Sequence, residues 1–289
     1  MILTLVGILF LMIIYACLIE PRWFRIRKIP ITVNKSLAAP LTILHLSDTH
    51  FCGYQKYKER FFKRLRHLTP DLVFITGDII DCNAGIQQAA HFISRIPARL
   101  GHFAVLGNHD YFDYHFYDNY AYHILGKKSV GALNPNDVDL LSKTLADHQI
   151  TLLQNSAVTL EDHNLKIQIF GTDDPVTKKA KMDETLISMH SNALNLLLTH
   201  LIDSIQHLPK TQVPDVVFSG HSHGGQVQLP GIGPLIVDTR MGKNFAEGIR
   251  SFQGMTLCIS RGLSATRTQL FRFLCRPEAL WIEIRPQGG

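Results

Sequence analysis

The stretch LTILHLSDTH, residues 41–50, decides how this chain is read. Its first part is a short apolar run of the kind that forms a buried strand, and it stops abruptly at Ser47, Asp48, Thr49 and His50. Asp48 and His50 stand two apart. In extended backbone both side chains leave on the same side, where they can grip one ion.

The same pattern recurs outward from there. The run 72–76 is followed by Gly77-Asp78-Ile79-Ile80-Asp81, and the run 103–106 by Gly107-Asn108-His109-Asp110. Later, 194–199 ends in His200, and 216–219 is followed by Gly220-His221-Ser222-His223-Gly224-Gly225. Further strand-like runs lie at 165–170, 256–259 and 280–284. Helical spacing appears at 56–68, where Phe61, Phe62, Leu65 and Leu68 share a side, at 89–96, and at 138–148 behind an Asp137 N-cap. Two β-α-β alternations followed by a strand-rich half predict an α/β (α+β) protein of two packed sheets with helices outside. In open α/β sheets, sites lie beyond the carboxyl ends of strands, and every polar run occupies that place.

Taken singly, each piece has a bland reading. Asp-x-His arises by chance, Gly-Asp is commonly a turn, and a lone histidine is usually a surface or satisfied core residue. Five segments in order, each ending an apolar run and together offering seven oxygen or imidazole donors, leave chance little room. No cysteine takes part, so the set suits Mn, Fe, Zn or a related divalent ion rather than a structural thiolate zinc. The two oxygens of Asp78 allow it to bridge two ions, and Asn108 offers an amide oxygen. Two cations about 3.5–4 Å apart hold a hydroxide and clamp phosphoryl oxygens during displacement at phosphorus. His109, with Asp110 beside it as orienter, is placed to protonate the leaving oxygen. Asp81 reads either as a loop cap or as a support to the site. The flanking glycines permit close backbone approach.

These motifs, D-x-H, G-D-x-x-D, G-N-H-D, a strand-terminal His and G-H-x-H, resemble those of the calcineurin-like binuclear metallophosphoesterases over about residues 41–284. The resemblance implies a four-layer α-β-β-α sandwich of two mixed β-sheets flanked by helices. It implies one metal on Asp48, His50, Asp78 and His223 and a second on Asp78, Asn108, His200 and His221, with Mn the first choice and Fe, Zn or Mg alternatives. His109 becomes the general acid or transition-state stabiliser, with Asp81 and Asp110 in support. Gly220–Gln226 with Leu229-Pro230, 242–248, Ser260-Arg261-Gly262 and 275–278 look like the bacterial membrane-associated phosphodiesterase subgroup, which includes UDP-2,3-diacylglucosamine pyrophosphatases of lipid A biosynthesis. The chain departs from the pattern at Leu201-Ile202-Asp203, where relatives often carry Pro, and in the long segment after Asp110.

Of the first 19 residues, 17 are apolar and none is charged. At 1.5 Å per residue such a helix spans about 28 Å, close to a bilayer core. No basic n-region precedes it and no Ala-x-Ala follows it, so the expectation is a transmembrane anchor rather than a cleaved signal. Glu20, Arg22, Arg25, Arg27 and Lys28 carry +3 of the chain's net +5, leaving +2 for the remainder. The basic balance therefore points to a membrane flank and not to nucleic acid. The expected division is an anchor at 1–19, a basic flank and tether at 20–40, and a catalytic domain at 41–286. Positive-inside logic places that domain in the cytoplasm, at the bacterial inner membrane. Five cysteines without Cys-x-x-Cys spacing make a disulfide framework an unpromising reading.

Two segments bear on substrate. The aromatic stretch 111–122 reads as a cap over the site or as a satellite core. Arg267, Leu270, Phe271, Arg272, Phe273, Leu274 and Arg276 interleave cations with bulky apolar side chains, as a membrane-facing patch or an edge strand would. The expected activity is hydrolysis of a phosphodiester or pyrophosphate in a membrane-resident, lipid-linked nucleotide, UDP-2,3-diacylglucosamine first. A general cell-envelope phosphodiesterase or phosphatase and a non-catalytic anchored binding module are the alternatives.

Overall fold

In the computed structural model the described residues are 2–114, 134–163, 165–209, 212–235, 237–264 and 270–286. The cap expected at 111–122 lies mostly outside them, as does Arg267. The apolar helix α1, Ile2–Arg22, is long and apolar enough to cross a membrane, and none of its most apolar window is buried.

Twelve strands among the described residues make two six-stranded mixed sheets, which we number in chain order. The first contains β1 (Arg25–Val33), β12 (Glu278–Pro286), β2 (Leu41–Leu46), β3 (Leu72–Thr76), β4 (Gly101–Val105) and β5 (Ile150–Leu152), in that spatial order. The second runs β10 (Gly248–Phe252), β11 (Met255–Ile259), β9 (Val216–Ser219), β8 (Leu194–Leu198), β7 (Leu165–Gly171) and β6 (Ser156–Asp162). β2, β3, β4 and β5 are parallel neighbours, as are β7, β8, β9 and β11.

Side-chain alternation sets the layers. Ile43, Phe74 and Phe103 face inward and pack with Ile169, Leu196 and Phe218 of the second sheet. Leu44, Leu46, Val73 and Ile75 face outward under α2 (Lys56–Leu65), α3 (Ile86–Ser94) and α4 (Val138–Asp147). Phe170, Leu197, Val217 and Leu257 face the opposite exterior, covered by Leu186 of α5 (Met182–Leu186), Ile202 and Ile205. Both faces of each central strand are buried, so these strands read as unbroken apolar runs. Each large aliphatic side chain so removed from water contributes roughly 1.5–3 kcal/mol. The result is the four-layer α-β-β-α arrangement expected from the motifs.

Two expectations need correction. Residues 25–33, read as flank and tether, are instead β1, which pairs in parallel with β12 from Arg25↔Glu278 to Val33↔Pro286. Its charges and Pro30 concealed it, and both are tolerated on an edge strand that keeps one side in water. Charge also has a partner there: Arg25 Nη2 lies 2.6 Å from the buried Glu278 carboxylate. Second, Cys52 and Cys82 are joined in a disulfide. They stand 30 apart in sequence, but β2 and β3 are parallel neighbours and the loops after them run side by side through the Phe51↔Ile80 bridge. The pairing therefore comes from the fold, where the spacing of the cysteines gave no sign of it.

Candidate active site

Parallel strands deliver their carboxyl ends to one edge, and there the loops after β2, β3, β4, β8 and β9 converge. One ligand atom each from Asp48, His50, Asp78 and His223 lie within 4.8 Å of one another, and so do atoms from Asp78, His200 and His221. Six of the seven donors expected from the sequence gather here, and Asn108 is placed by its neighbours: it opens the single turn Asn108–Tyr111 after β4, and the following amide, His109 N–H, donates to Asp78 Oδ1 at 2.9 Å.

The backbone is bent to make this possible. Asp48, His50, Asp78, His221 and His223 have φ of 50°, 43°, 49°, 67° and 50°. Left-handed backbone at non-glycine residues costs of order 1–3 kcal/mol each and persists only where surrounding structure enforces it. Two glycines show how tight the fit is. A Cβ at Gly107 would lie 2.3 Å from Asp78 Oδ1, and one at Gly220 would lie 1.7 Å from Ser47 Oγ.

Hydrogen bonds on the outer side of each ring assign the tautomers. His50 Nδ1–H donates to Asp81 Oδ1 at 2.7 Å, His200 Nδ1–H to Thr76 O at 2.9 Å, and His223 Nδ1–H to Ser264 O at 3.2 Å. His221 turns Nε2 toward Asp238 Oδ2 at 3.3 Å. Each imidazole therefore presents a lone pair inward, and His221 Nδ1 faces His200 Nε2 at 3.1 Å. Two lone pairs at that distance repel unless a cation lies between them. His50 Nε2 and Asn108 Oδ1 are also buried without a hydrogen-bond partner. Orphaned inward donors of this kind fit divalent metal ions, and the donor chemistry is oxygen and imidazole throughout.

The electrostatics agree. Burial alone would raise the Asp78 pKa, but the His200, His109 and His50 imidazoles hold it well below the usual carboxylate range. Burial works against the charged form of His200, yet Asp78 outweighs it and the imidazole is pushed up to about 10, a proton taking the place of a cation. His223 is lowered, first by burial and then by His50 and Arg272.

Around the donors, one of the two expected supporting carboxylates has a different role. Asp110 was expected to orient His109; it instead accepts from Gly107 N–H at 2.9 Å and Ile80 N–H at 3.0 Å, closing the loop. Asp110 is pushed up to about 8, by burial first and then by Asp78. Asp81 takes the place beside the imidazole. Its Oδ1 is 2.9 Å from His109 Nδ1 as well as 2.7 Å from His50 Nδ1. Burial opposes charge on His109, but Asp78 and Asp81 outweigh it and raise its pKa.

Three supporting residues escaped the sequence reading. Lys58 of α2 is buried and donates to Thr49 O at 2.5 Å and His50 O at 2.7 Å, fastening the Asp48–His50 loop. Asp238 faces His221, as above, and Arg272 is buried with Nη2 donating to Ser264 O at 2.7 Å and Arg261 O at 2.8 Å. A Lys on an amphipathic helix, an Asp after a Pro/Gly loop and an Arg in a basic run carry no signal of such roles.

Comparison with known proteins follows the same line. A family described as calcineurin-like phosphoesterase matches residues 41–225. The metallophosphoesterase YkoQ of Bacillus subtilis, itself uncharacterized, is 27% identical over 291 residues, covering 98% of both chains. The UDP-2,3-diacylglucosamine pyrophosphatase LpxG of Chlamydia trachomatis is 28% identical over 92% of this chain and 90% of its own. The phosphodiesterase YaeI of Escherichia coli is 25% identical over 92% of this chain and 90% of its own.

Proposed function

The chain belongs to the calcineurin-like phosphoesterase family, hydrolases of phosphate esters, and from that premise we propose that it cleaves the pyrophosphate or phosphodiester bond of a lipid-linked nucleotide at a membrane. The favoured substrate is UDP-2,3-diacylglucosamine, giving UMP and 2,3-diacylglucosamine 1-phosphate. Full-length similarity to LpxG, together with an apolar helix of spanning length on the same chain, supports this reading.

One ion, Mn first, is assigned to Asp48, His50, Asp78 and His223, and a second to Asp78, Asn108, His200 and His221. Bound there, such ions neutralise phosphoryl oxygens and activate the attacking water. The protein residues do the rest. Asp78 joins the two sets, and the Nδ1–H bonds of His50, His200 and His223 keep their Nε2 lone pairs inward. Water forms the new P–O bond as the bond to the leaving oxygen breaks. His109, whose charged form Asp78 and Asp81 favour against its burial, offers the proton on Nε2, the nitrogen turned away from Asp81, to that leaving oxygen.

The observation that carries the reading is the convergence of these inward-facing donors at the strand ends. Purified full-length protein supplied with Mn is assayed on a chromogenic diester and on UDP-2,3-diacylglucosamine. Turnover of both is expected. Cleavage of the diester alone assigns a general phosphodiesterase, the activity named for YaeI, and turnover of neither removes the proposal.

A further inference from the structure

The loop 270–276 is fastened on two sides. On one side it holds the end of α1: Arg272 N–H donates to Ala16 O at 2.9 Å, and Leu274 N–H to the buried carboxylate of Glu20 at 2.8 Å. Phe273 meets Tyr15 edge-on at 6.2 Å, and Arg276 stacks 4.0 Å over Trp23. On the other side it backs the metal-ligand loop. Phe273 N–H donates to Gln226 O at 2.9 Å, and Cys275 Sγ–H to His223 O at 3.4 Å.

Between these attachments, three large apolar side chains point into solvent. Leu270, Phe271 and Leu274 are 60%, 46% and 44% exposed, beside Leu18 at 55% and Ile19 at 50% on α1. Depth then follows from register. A helix spanning from Ile2 to Arg22 has residues 16–20 at the edge of the hydrocarbon, because about 20 residues are needed to cross it. The loop is bonded to those same residues, so its exposed side chains stand at the same level. Trp23, half exposed with a guanidinium on its face, is the amphipathic ring expected at a membrane–water boundary.

Resting on the membrane reading given above, we propose that Leu270, Phe271 and Leu274 are a second membrane contact, seated in the interfacial layer of the bilayer beside α1. The occupant of this face is lipid. The consequence is that the loop backing His223 lies on the membrane, and the metal centre is held at one height above the leaflet from which an amphiphilic phosphoester with its acyl chains still embedded is taken. Glu20 and Ala16 fix that height: helix and domain are not joined by a free tether.

The contact is tested without reference to substrate. Phe271→Trp in the full-length protein is reconstituted into phosphatidylethanolamine–phosphatidylglycerol vesicles with or without dibrominated acyl chains. The emission added over the parent protein is expected to be quenched by the brominated lipid. Emission that stays unquenched, whether the face is bare or covered by a second copy, overturns the proposal. In a second measurement Leu270→Asp/Phe271→Asp is expected to hydrolyse the soluble chromogenic diester as the parent does. Its turnover of UDP-2,3-diacylglucosamine in vesicles should fall by about tenfold or more, the loss of partial burial of two large side chains. Equal losses on both substrates overturn it. If the parent turns over neither substrate, the functional reading fails while the quenching result still stands.

Discussion

Replacing Asp81 by Asn removes a charge that two imidazoles share. In the folded protein the carboxylate lies 2.7 Å from His50 Nδ1 and 2.9 Å from His109 Nδ1 and is almost wholly buried. Both rings meet the same oxygen, Oδ1, so asparagine keeps that acceptor and loses its negative charge. Loss of a partner behind a metal-ligating histidine costs about 10- to 100-fold in affinity or activity, or roughly 1.4–2.7 kcal/mol. On the roles proposed above, in which His50 alone of the pair holds the ion and both serve turnover, Mn affinity should fall about tenfold and kcat/KM about 100-fold. The pH profile has a fixed sign. Burial disfavours charged His109, while Asp78 and Asp81 raise its pKa, and the acid is lost as pH rises through that value. Without Asp81 the value drops, so the alkaline limb moves to lower pH. Calorimetric Mn titration and kcat/KM on a soluble diester across pH check both parts, with His109→Asn as the control that keeps Mn affinity. An Asp81→Asn protein with unchanged Mn affinity and an unmoved alkaline limb would refute the shared role.

Three further outcomes are expected. His45, fully buried with Nε2 at 2.8 Å from Thr76 Oγ1, has its pKa lowered by burial from 6.5 to about 3. The unfolded chain takes up this proton below pH 6.5 and the folded chain only near pH 3, so stability falls on acidification through that window, by at most roughly 5 kcal/mol. Urea unfolding of metal-free protein in detergent should show this slope in the parent and lose it in His45→Phe; parallel curves would exclude it. Gly220→Ala drives a Cβ to within 1.7 Å of Ser47 Oγ and 2.3 Å of Asp48 Oδ2, and should abolish Mn binding while circular dichroism stays native. Full Mn stoichiometry in that variant would count against the site geometry. Lys58→Met leaves the carbonyls of Thr49 and His50 without their donor, so unfolding should cost about 2–4 kcal/mol less than in the parent; an unchanged urea midpoint would mean that the clamp is idle.

The legible parts of this protein are those in which chemistry and periodicity coincide. The central strands β2, β3, β8 and β9 read as apolar runs because both faces are buried, and their ends read as sites because Asp, Asn and His interrupt those runs. β1 and β6 did not read this way. Both are edge strands whose solvent side carries charged or polar residues, and β1 contains Pro30, so neither shows the apolar run by which a buried strand is recognised. Among the supporting residues, Asp81 was visible as a motif position that read either as a loop cap or as a support, and its place beside His50 and His109 decides between them. Asp110 drew the expectation because it is adjacent in sequence to His109, yet its side chain turns back to Gly107 N and Ile80 N.

By itself, the sequence determined the class of fold, the candidate donor set and the apolar helix, because each rests on residue type and short spacing. Only the tertiary structure decided which ring nitrogen faces inward, which carboxylate supports His109, that Cys52 meets Cys82, and that α1 is bonded to the loop behind His223. These pairings join positions 28 to more than 250 residues apart, such as Asp81 with His109, Cys52 with Cys82 and Glu20 with Leu274. Contacts at that range are set by how strands are ordered in the sheets and by left-handed turns at the ligands, and local spacing carries neither.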